Sequence, residues 1–477
     1  MSVATKSYSL RVLKFKTGVK MKILMTGATG LIGQKLGMAL VQEGHSLTVI
    51  SRSARRAKSD LPFPCEVVEG DLTASSVKLS HSFDVVIHLL GESVAHRWTS
   101  EKKKLILDSR VQSMRHLLDS LSEAPQMILS ANAVGIYGDR GLELLTEESA
   151  PGSGFLAEIC VQWQDELLKA REKFRKTKLA SLRVGVVLSR DGGALPEMLF
   201  PFRVGVGGVI GGGNQILSWI HLDDLVKMFC FVIDQKLEGA FNAVAPHPVS
   251  NREFSKSLAH GLGRPLGPPV PAFVMKLIFG EMAQVILASQ NVSSSKISKL
   301  GFRFQYETID QAFSELLSYY ASSGEVLESE QFVPLKKNEI FDFFSEAKNL
   351  EALTPETLSF HIKKMSTVQV QEGTLIDYKL QVHGIPMGWR TLISEWKPDS
   401  HFVDLQLKGP YKLWRHTHEF IDFAGGTLLR DRVQFKLPAG YLGWLVAGFF
   451  VKSDVKKIFA FRRKVISEKF GSQQPST

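Results

Sequence analysis

The chain has 477 residues, of which 44% are hydrophobic and 22% charged, and its formal net charge is +10. This length favours two domains, and the composition is typical of a globular protein. Three widely spaced cysteines exclude a disulfide framework and indicate a cytoplasmic protein. No apolar run approaches the roughly 20 residues of a membrane-spanning helix. Basic and aromatic residues are not interleaved outside 441–464, so nucleic acid is not an expected partner.

Residues 1–20 form a basic leader. They contain five Lys or Arg residues and no acid, and therefore supply half of the net charge. They lack the apolar core of a signal peptide. We expect a disordered tail, or a start codon assigned too early, with Met21 opening the first strand. A targeting or anion-binding arm is the alternative.

The stretch MTGATGLIGQ at 25–34 places three glycines where a buried strand turns into a helix. Unpaired N–H groups and the helix dipole favour an anion at such a helix N-terminus. Gly27 permits the tight turn, Gly30 permits the approach of a pyrophosphate, and Gly33 permits close packing of the helix on the strand. An ordinary glycine-rich turn without a ligand is the alternative. The residues predicted to bind a dinucleotide here are Gly27, Thr29, Gly30, Leu31, Ile32 and Gly33.

Short apolar runs alternate with helical patterns from Met21 to about Tyr320. The segments that read as strands are MKILMTG, HSLTVISR, CEVVEGD, DVVIHLLG, QMILSAN and LASLRVGVVLS. Such alternation predicts an α/β Rossmann fold with a doubly wound parallel sheet over 21–320. Gly and Pro become more frequent after Val187, which predicts a smaller lobe that covers the substrate.

The end of the second predicted strand indicates which dinucleotide is bound. An acid there bonds a free ribose 2′-hydroxyl, whereas an arginine suits a 2′-phosphate. Here Ser51 and Arg52 end the strand, and no acid precedes Asp60. We therefore predict NADP(H), because a guanidinium can bind a phosphate through two hydrogen bonds. The alternative is a solvated basic loop. Further predicted cofactor contacts follow the third and fourth strands: Asp71, Leu72, Leu89, Leu90 and Gly91. The segment from His88 to Gly91 is expected to pass beneath the middle of the cofactor.

Several motifs together resemble a known family: TGATGLIG, GDL, HLLGE, SRV, AVGIYG, LRVGVVLS, SWIHLDDLV and NAVAPHPVSNREF. They are similar to the atypical extended short-chain dehydrogenase/reductases of the NAD-dependent epimerase/dehydratase superfamily, in the epimerase family of the cell-division-inhibitor-like branch. The resemblance covers about 21–317. It implies a Rossmann fold, NADP(H), and an oxidoreductase or epimerase activity without an assigned substrate. It also implies that Ser51, Arg52, Leu89, Leu90 and Arg110 contact the cofactor.

A different pattern occupies 325–477, after a linker near 321–325. One helix is predicted at Lys337–Ala352, then strands that alternate apolar with polar residues, a hairpin turn at 424–427 and a last helix at 444–468. NLEALTP, GPYKLWRHTHEF and GTLLRDRVQFKLP resemble the START-like (SRPBCC) superfamily of polyketide cyclases and dehydrases. The resemblance implies an α+β helix-grip domain around an apolar ligand.

His416 and His418 project from one face of a predicted strand in this segment. Their spacing suits a metal, but no Cys or further His stands nearby to complete a ligand set. We therefore expect them to form a polar wall of the cavity, and we predict no metal site.

Short-chain reductases usually carry Tyr-x-x-x-Lys on a helix, where the Lys lowers the pKa of the Tyr that exchanges a proton with the substrate. That pattern does not occur between residues 21 and 320, and the corresponding helix reads GFLAEICVQWQDEL. The usual Tyr position falls near Ala157 or Glu158. The remaining catalytic candidates are Ser130, Asn132 and Tyr137, although Tyr137 could equally be a packed loop residue.

Two functions follow from these features. The first is an NADP(H)-dependent oxidoreductase or epimerase that acts on a small-molecule substrate, with an apolar ligand bound by the C-terminal domain. The second is a protein that senses NADP(H) without turnover and carries a lipid or polyketide-like ligand. The absent Tyr–Lys pair favours the second function, and the intact glycine turn favours the first.

Overall fold

The computed structural model describes residues 19–318, 320, 324–438 and 440–471. Nearly all of the predicted leader 1–20, and most of the predicted linker, lie outside these ranges. The N-terminal domain contains the strands β1 Lys22–Thr26, β2 Ser46–Ser51, β3 Glu66–Glu69, β4 Val85–His88, β5 Met127–Ala133, β6 Leu144–Leu145, β7 Lys178–Val184, β8 Val186–Leu188, β9 Ile216–Leu217, β10 Trp219–His221, β11 Gly239–Ala243, β12 Val249–Ser250 and β13 Asn291–Val292.

Its helices are α1 Leu31–Gln42, α2 Ala54–Asp60, α3 Ser100–Asp108, α4 Val111–Ser120, α5 Phe155–Lys173, α6 Ala194–Arg203, α7 Leu222–Asp234, α8 Asn251–Gly261, α9 Ala272–Phe279, α10 Ala283–Leu287, α11 Ser295–Lys299 and α12 Ile309–Leu316. Short 3₁₀ turns occur at Val134–Tyr137 and Gly280–Met282.

The main sheet of this domain has seven parallel strands in the order β11-β7-β5-β4-β1-β2-β3. All six predicted strand segments are present in it or continue directly from it. Their continuous apolar runs suit burial under helices on both faces, and Ile23, Leu24 and Met25 are completely buried. The strand order reverses at β1, because β2 and β3 lie on one side of it and β4, β5 and β7 lie on the other. In a doubly wound sheet, ligands bind in the crevice at this reversal. The Rossmann-type prediction is confirmed.

After Val187, apart from β11 in the main sheet and α7 packed on it, the domain consists of two-stranded ribbons and shorter helices. It has an apolar cluster of its own, in which Leu195, Trp219 and Phe313 are buried. This arrangement agrees with the smaller lobe that the Gly- and Pro-rich sequence predicts.

The C-terminal domain contains the strands β14 Glu325–Val333, β15 His361–Met365, β16 Leu375–Val382, β17 Ile385–Lys397, β18 His401–Lys408, β19 Leu413–Phe423 and β20 Gly426–Lys436. Its helices are α13 Lys337–Ser345, α14 Ala347–Ala352 and α15 Gly440–Phe470, with a 3₁₀ turn at Glu356–Leu358. The strands form one antiparallel sheet in the order β14-β20-β19-β18-β17-β16-β15. Helix α15 packs its Val455, Phe459 and Ile466 against this sheet.

The structure differs from the sequence prediction in three details of this domain. The helix predicted at Lys337–Ala352 is split into two, and strands β14 and β15 were not predicted. The hairpin at 424–427 is confirmed, because Ala424 and Gly425 both take positive φ between β19 and β20. The predicted antiparallel strands and long final helix are present, and the START-like, helix-grip assignment stays a prediction.

Strand β14 joins the two domains through charged side chains. Glu330 accepts hydrogen bonds from Lys35 of α1 at 3.0 Å and from Arg430 of β20 at 2.9 Å. Glu325, at the start of the strand, pairs with Arg203 of α6. Apolar contacts also cross the interface, since Phe423 and Leu428 join the core of the N-terminal domain. Its many polar residues explain why β14 escaped prediction as a buried strand.

None of the helices in the described ranges combines the length and the apolar sequence needed to cross a membrane.

Candidate functional site

The β1–α1 turn lies against the loop that follows β4. Gly27 has a φ of +69°, and a Cβ atom built on it would lie 2.6 Å from the carbonyl carbon of Leu89. A Cβ atom on Gly33 would lie 2.4 Å from the carbonyl oxygen of Gly27. Any side chain at either position would therefore separate the strand, the helix and the neighbouring loop. This crowding explains why glycine occupies both positions.

The N-terminus of α1 opens into the crevice. Its first N–H groups, on Leu31, Ile32 and Gly33, have no partner within the helix. The N-cap residue Gly30 provides no side-chain cap, and the first turn carries no acid. Thr29 and Gly30 are exposed. A helix end of this kind, at the carboxyl edge of a parallel sheet, suits the pyrophosphate of a dinucleotide.

Three arginines follow β2, and two of them form ion pairs. Arg55 pairs with Glu468 of α15 at 2.8 Å, and Arg56 pairs with Asp60 at 3.2 Å. Arg52 is exposed beside Ser51, at the carboxyl end of the strand. The structure thus presents Arg52 to an approaching anion.

Two carboxylates lie near Arg52. Asp71 accepts hydrogen bonds from the amide and hydroxyl of Thr73 at 2.9 and 2.7 Å. Although burial opposes its ionisation, these bonds and the charge of Arg52 lower the pKa of Asp71. Glu69, which the sequence reasoning missed, accepts a hydrogen bond from the amide of Ala54 at 2.7 Å and so supports the start of α2. The neighbouring Leu72 is buried in the core.

The side chain of Arg110 holds the loop after β4 in place. It donates hydrogen bonds to the carbonyl oxygens of Glu92 and Ile106 at 3.0 and 3.1 Å. A Cβ atom on Gly91 would lie 3.1 Å from its guanidinium, which also packs over the ring of Trp163. Burial lowers the pKa of this arginine. The geometry shows Arg110 supporting the loop that carries Leu89 and Leu90, and a direct cofactor contact stays a prediction.

His88, at the end of β4, begins the segment that the sequence predicts to pass beneath the middle of the cofactor. It is completely buried, its Nε2 lies 2.9 Å from the hydroxyl of Ser113, and its ring meets the edge of Trp163. Burial lowers the pKa of His88 to about 3, so the imidazole is neutral.

Ser130 lies in the middle of β5 and Asn132 near its carboxyl end, and both are buried. The amide of Asn132 donates to the carbonyl oxygen of Cys160 on α5 at 3.1 Å, and its oxygen accepts from the amide of Ala133 at 2.8 Å. The hydroxyl of Ser130 donates to the carbonyl oxygen of Ala131 at 2.8 Å. Both side chains hold local structure together, and a contact with substrate would require them to exchange these bonds.

The structure argues against the catalytic role predicted for Tyr137. Its side chain is completely buried, and its hydroxyl donates to Asn242 Oδ1 at 2.7 Å. Arg183 donates to the same hydroxyl at 2.7 Å. Burial raises the pKa of Tyr137 in spite of this cation. The phenol is therefore a packed structural group, held by residues that are distant in the sequence.

Helix α5 presents Glu158 and Gln162 on its exposed face, one turn apart, where the family pattern places Tyr and Lys. Trp163 is buried beside Arg110. Trp219, His221 and Asp224 are buried in the domain. His221 caps α7 by accepting from the amide of Asp223 at 3.1 Å.

Comparison with known proteins assigns the N-terminal domain. Residues 23–243 match the sequence model of the NAD dependent epimerase/dehydratase family, and residues 270–316 match a domain of unknown function, DUF1731. The Arabidopsis thaliana epimerase family protein SDR39U1 homolog, chloroplastic, is 34% identical over 307 residues, which cover 62% of this chain and 87% of that protein. The chain belongs to this epimerase family. The START-like resemblance lies beyond both matched ranges and stays a prediction.

Other members of the epimerase family show the same extent of similarity. Epimerase family protein YfhF of Bacillus subtilis is 36% identical over 304 residues, covering 62% of this chain and 98% of the relative. The crystal structure of human epimerase family protein SDR39U1 with NADPH has 30% identity and a TM-score of 0.55, covering 62% of this chain and 99% of the human one. The nucleoside-diphosphate sugar epimerase of Corynebacterium glutamicum has 33% identity and a TM-score of 0.51, covering 63% and 59%.

Proposed function

We propose that the N-terminal domain binds NADP(H) and acts as an oxidoreductase or epimerase on a small-molecule substrate. The observation that carries the proposal is the glycine-lined turn between β1 and the open N-terminus of α1. Its backbone atoms lie too close to the Leu89 loop for any side chain at Gly27. The family assignment and the human relative crystallised with NADPH support the same cofactor.

The preference for NADP(H) over NAD(H) rests on Arg52. Its exposed guanidinium stands at the strand end that meets the adenosine ribose in this fold, and Arg55 and Arg56 are held by Glu468 and Asp60. The nearest acids are also engaged, since Asp71 bonds Thr73 and Glu69 bonds the start of α2. A 2′-phosphate would therefore meet a cation there.

The residues of the crevice have different tasks in this proposal. Leu31, Ile32 and Gly33 would bind the pyrophosphate, and Leu89 to Gly91 would lie beneath the middle of the cofactor, supported by Arg110. The bound nicotinamide supplies or accepts a hydride. Ser130 and Asn132 remain the candidates for orienting a substrate carbonyl at the end of β5, provided that they release their present hydrogen bonds.

A second function, binding of NADP(H) without turnover, is favoured by the buried Tyr137. Its hydroxyl is engaged by Arg183 and Asn242, and α5 carries Glu158 and Gln162 where a reductase has its Tyr–Lys pair. In this case the C-terminal domain would respond to the cofactor or carry an apolar ligand.

The cofactor assignment is tested by titrating the full chain with NADPH and NADH and following nucleotide fluorescence. Replacing Arg52 by alanine removes a charge-assisted bond worth about 1.5–3 kcal/mol. We expect NADPH affinity to fall roughly 10- to 150-fold while NADH affinity changes little. Arg56→Ala is the matched control, because that side chain is committed to Asp60. Equal affinity of the wild type for both nucleotides would refute the NADP(H) assignment.

Turnover is tested by NADPH oxidation across a panel of carbonyl compounds and nucleotide sugars. The enzyme hypothesis predicts oxidation with at least one compound, weakened in Asn132→Ala. Tight NADPH binding without oxidation across the panel would favour the sensing function instead.

A further inference from the structure

Five charged or titratable side chains meet inside the C-terminal domain, between the sheet and α15. His416 and His418 point from β19 toward the helix, Asp404 lies opposite His416 on β18, and Asp431 lies opposite His418 on β20. Arg462 reaches them from α15 and contacts Asp431 at 3.1 Å. The two histidines and the arginine are at most 7% exposed. Burial of so many polar groups is costly unless they bind one another or a ligand.

Apolar residues enclose the cluster on two sides. Phe402, Phe420 and Ile466 belong to one buried group, and Val433 and Phe459 belong to another. The polar side chains therefore form a middle layer in an otherwise apolar interface. Water is largely excluded from such a layer, which strengthens the attraction between a cation and its ligands.

Three of these side chains have the spacing of metal ligands. Ligand atoms of Asp404, His416 and His418 all lie within 4.8 Å of one another. His418 Nε2 is 3.3 Å from Asp404 Oδ2, which is long for a hydrogen bond. This distance equals the separation of about 3.3 Å between two ligand atoms that are each bound at about 2.0 Å to a tetrahedral metal ion.

The protein groups alone do not complete the bonding of this cluster. His418 Nδ1 lies 2.7 Å from Asp431 Oδ1, but it is not aligned for a hydrogen bond. Arg462 Nε is also buried, and within the described ranges neither nitrogen has a hydrogen-bond partner. Unsatisfied buried polar atoms are rare. The N–H of Arg462 is a donor and cannot bind a cation, so it is the incompletely bonded imidazole of His418 that bears on a metal ion.

The charges of the cluster admit a cation. Asp404 and Asp431 supply two carboxylates, against the single guanidinium of Arg462. Asp431 Oδ1 also lies 3.2 Å from His416 Nε2. It thus contacts a ring nitrogen of each histidine, the position that carboxylates take behind metal-bound imidazoles.

We propose that Asp404, His416 and His418 bind a divalent transition-metal ion, with Asp431 orienting the two histidines. Two imidazoles and one carboxylate suit Zn²⁺, Co²⁺ or Fe²⁺. The sequence prediction of no metal found only two histidines on one strand. The fold adds the third ligand from β18. This site is separate from the cofactor crevice and does not depend on the proposed function.

The test uses full-length protein that has been treated with a chelator, dialysed and then titrated with Zn²⁺ or Co²⁺. We expect one ion per chain by elemental analysis, and visible absorption bands from the Co²⁺ form. His418→Gln should weaken metal affinity by more than about 100-fold. Loss of a residue that only hydrogen-bonds a metal ligand already lowers metal affinity about 10- to 100-fold.

His401→Gln is the matched control, because His401 contacts a carboxylate, Glu395, in the same sheet but outside the cluster. It should bind metal like the wild type. Asp404→Asn keeps the shape of the site and gives a second variant if His418→Gln does not fold. Failure of the wild type to retain either ion, or retention by His418→Gln and Asp404→Asn equal to wild type, would overturn the proposal.

Discussion

Gly27 is where the β1–α1 turn meets the loop after β4, and Gly27→Ala tests the crowding on which the cofactor site depends. The new Cβ would lie 2.6 Å from the carbonyl carbon of Leu89 and 2.9 Å from the amide nitrogen of Leu90. Both are backbone atoms, which cannot rotate away as a side chain can. The turn or the loop must therefore shift.

Two effects contribute to the expected loss of stability. A non-glycine residue at a φ of +69° costs about 1–2 kcal/mol. Overpacking against a rigid neighbour adds about 1–3 kcal/mol. Gly141→Ala separates them, because Gly141 has a φ of +60° but no heavy atom within 4 Å of the added Cβ. We expect Gly27→Ala to lower the free energy of unfolding by about 1–3 kcal/mol more than Gly141→Ala does.

The assay is urea unfolding of the full chain followed by circular dichroism, with NADPH titration of each folded variant. The Leu89–Leu90 loop is displaced only in Gly27→Ala. NADPH affinity should therefore fall at least about tenfold in that variant, which corresponds to a loss of about 1.4 kcal/mol or more in binding free energy. Gly141→Ala should bind as the wild type does. Equal losses of stability and affinity in the two variants would refute the reasoning.

Two other substitutions test buried polar groups. Although burial opposes its ionisation, Lys35 and Arg430 lower the pKa of Glu330 from 4.5 to about 2, which corresponds to roughly 3 kcal/mol. Since the folded pKa lies below the unfolded one, this stabilisation is present above about pH 5 and is lost as the pH falls toward 2. Glu330→Gln should therefore lower the free energy of unfolding at pH 7 and flatten its acid dependence in urea titrations, and an unchanged acid dependence would contradict the assignment. Tyr137→Phe removes the donor to the buried Asn242 Oδ1, while Arg183 keeps its bond to the carbonyl oxygen of Glu147. The unfolding free energy of this variant should therefore fall by about 1–3 kcal/mol. Any NADPH turnover should persist, whereas lost turnover with unchanged stability would restore Tyr137 as proton donor.

Much of the N-terminal domain follows from local sequence. The three glycines, the apolar strands and the helical patterns are short-range signals, and the structure contains each predicted strand of the parallel sheet. The exposed Arg52 was also predictable, because the end of β2 is reached by counting along the chain. These signals act through backbone conformation and side-chain periodicity, which depend on neighbouring residues.

Other features depend on residues that are far apart in the sequence. Tyr137 looked available for catalysis until the fold placed Arg183 and Asn242 on its hydroxyl. Strand β14 looked too polar to be buried, because its partners Lys35 and Arg203 belong to the other domain.

The sequence by itself determined that a Rossmann-type crossover opens the described chain and that an antiparallel sheet with a long final helix closes it. Tertiary structure alone decided which polar residues are free and which are engaged. His416 and His418 form a pair in the sequence, but only the pairing of β18 with β19 brings Asp404 opposite them. The physical reason is that a buried polar group takes its pKa, its bonds and its role from whichever groups the fold places within about 3 Å of it.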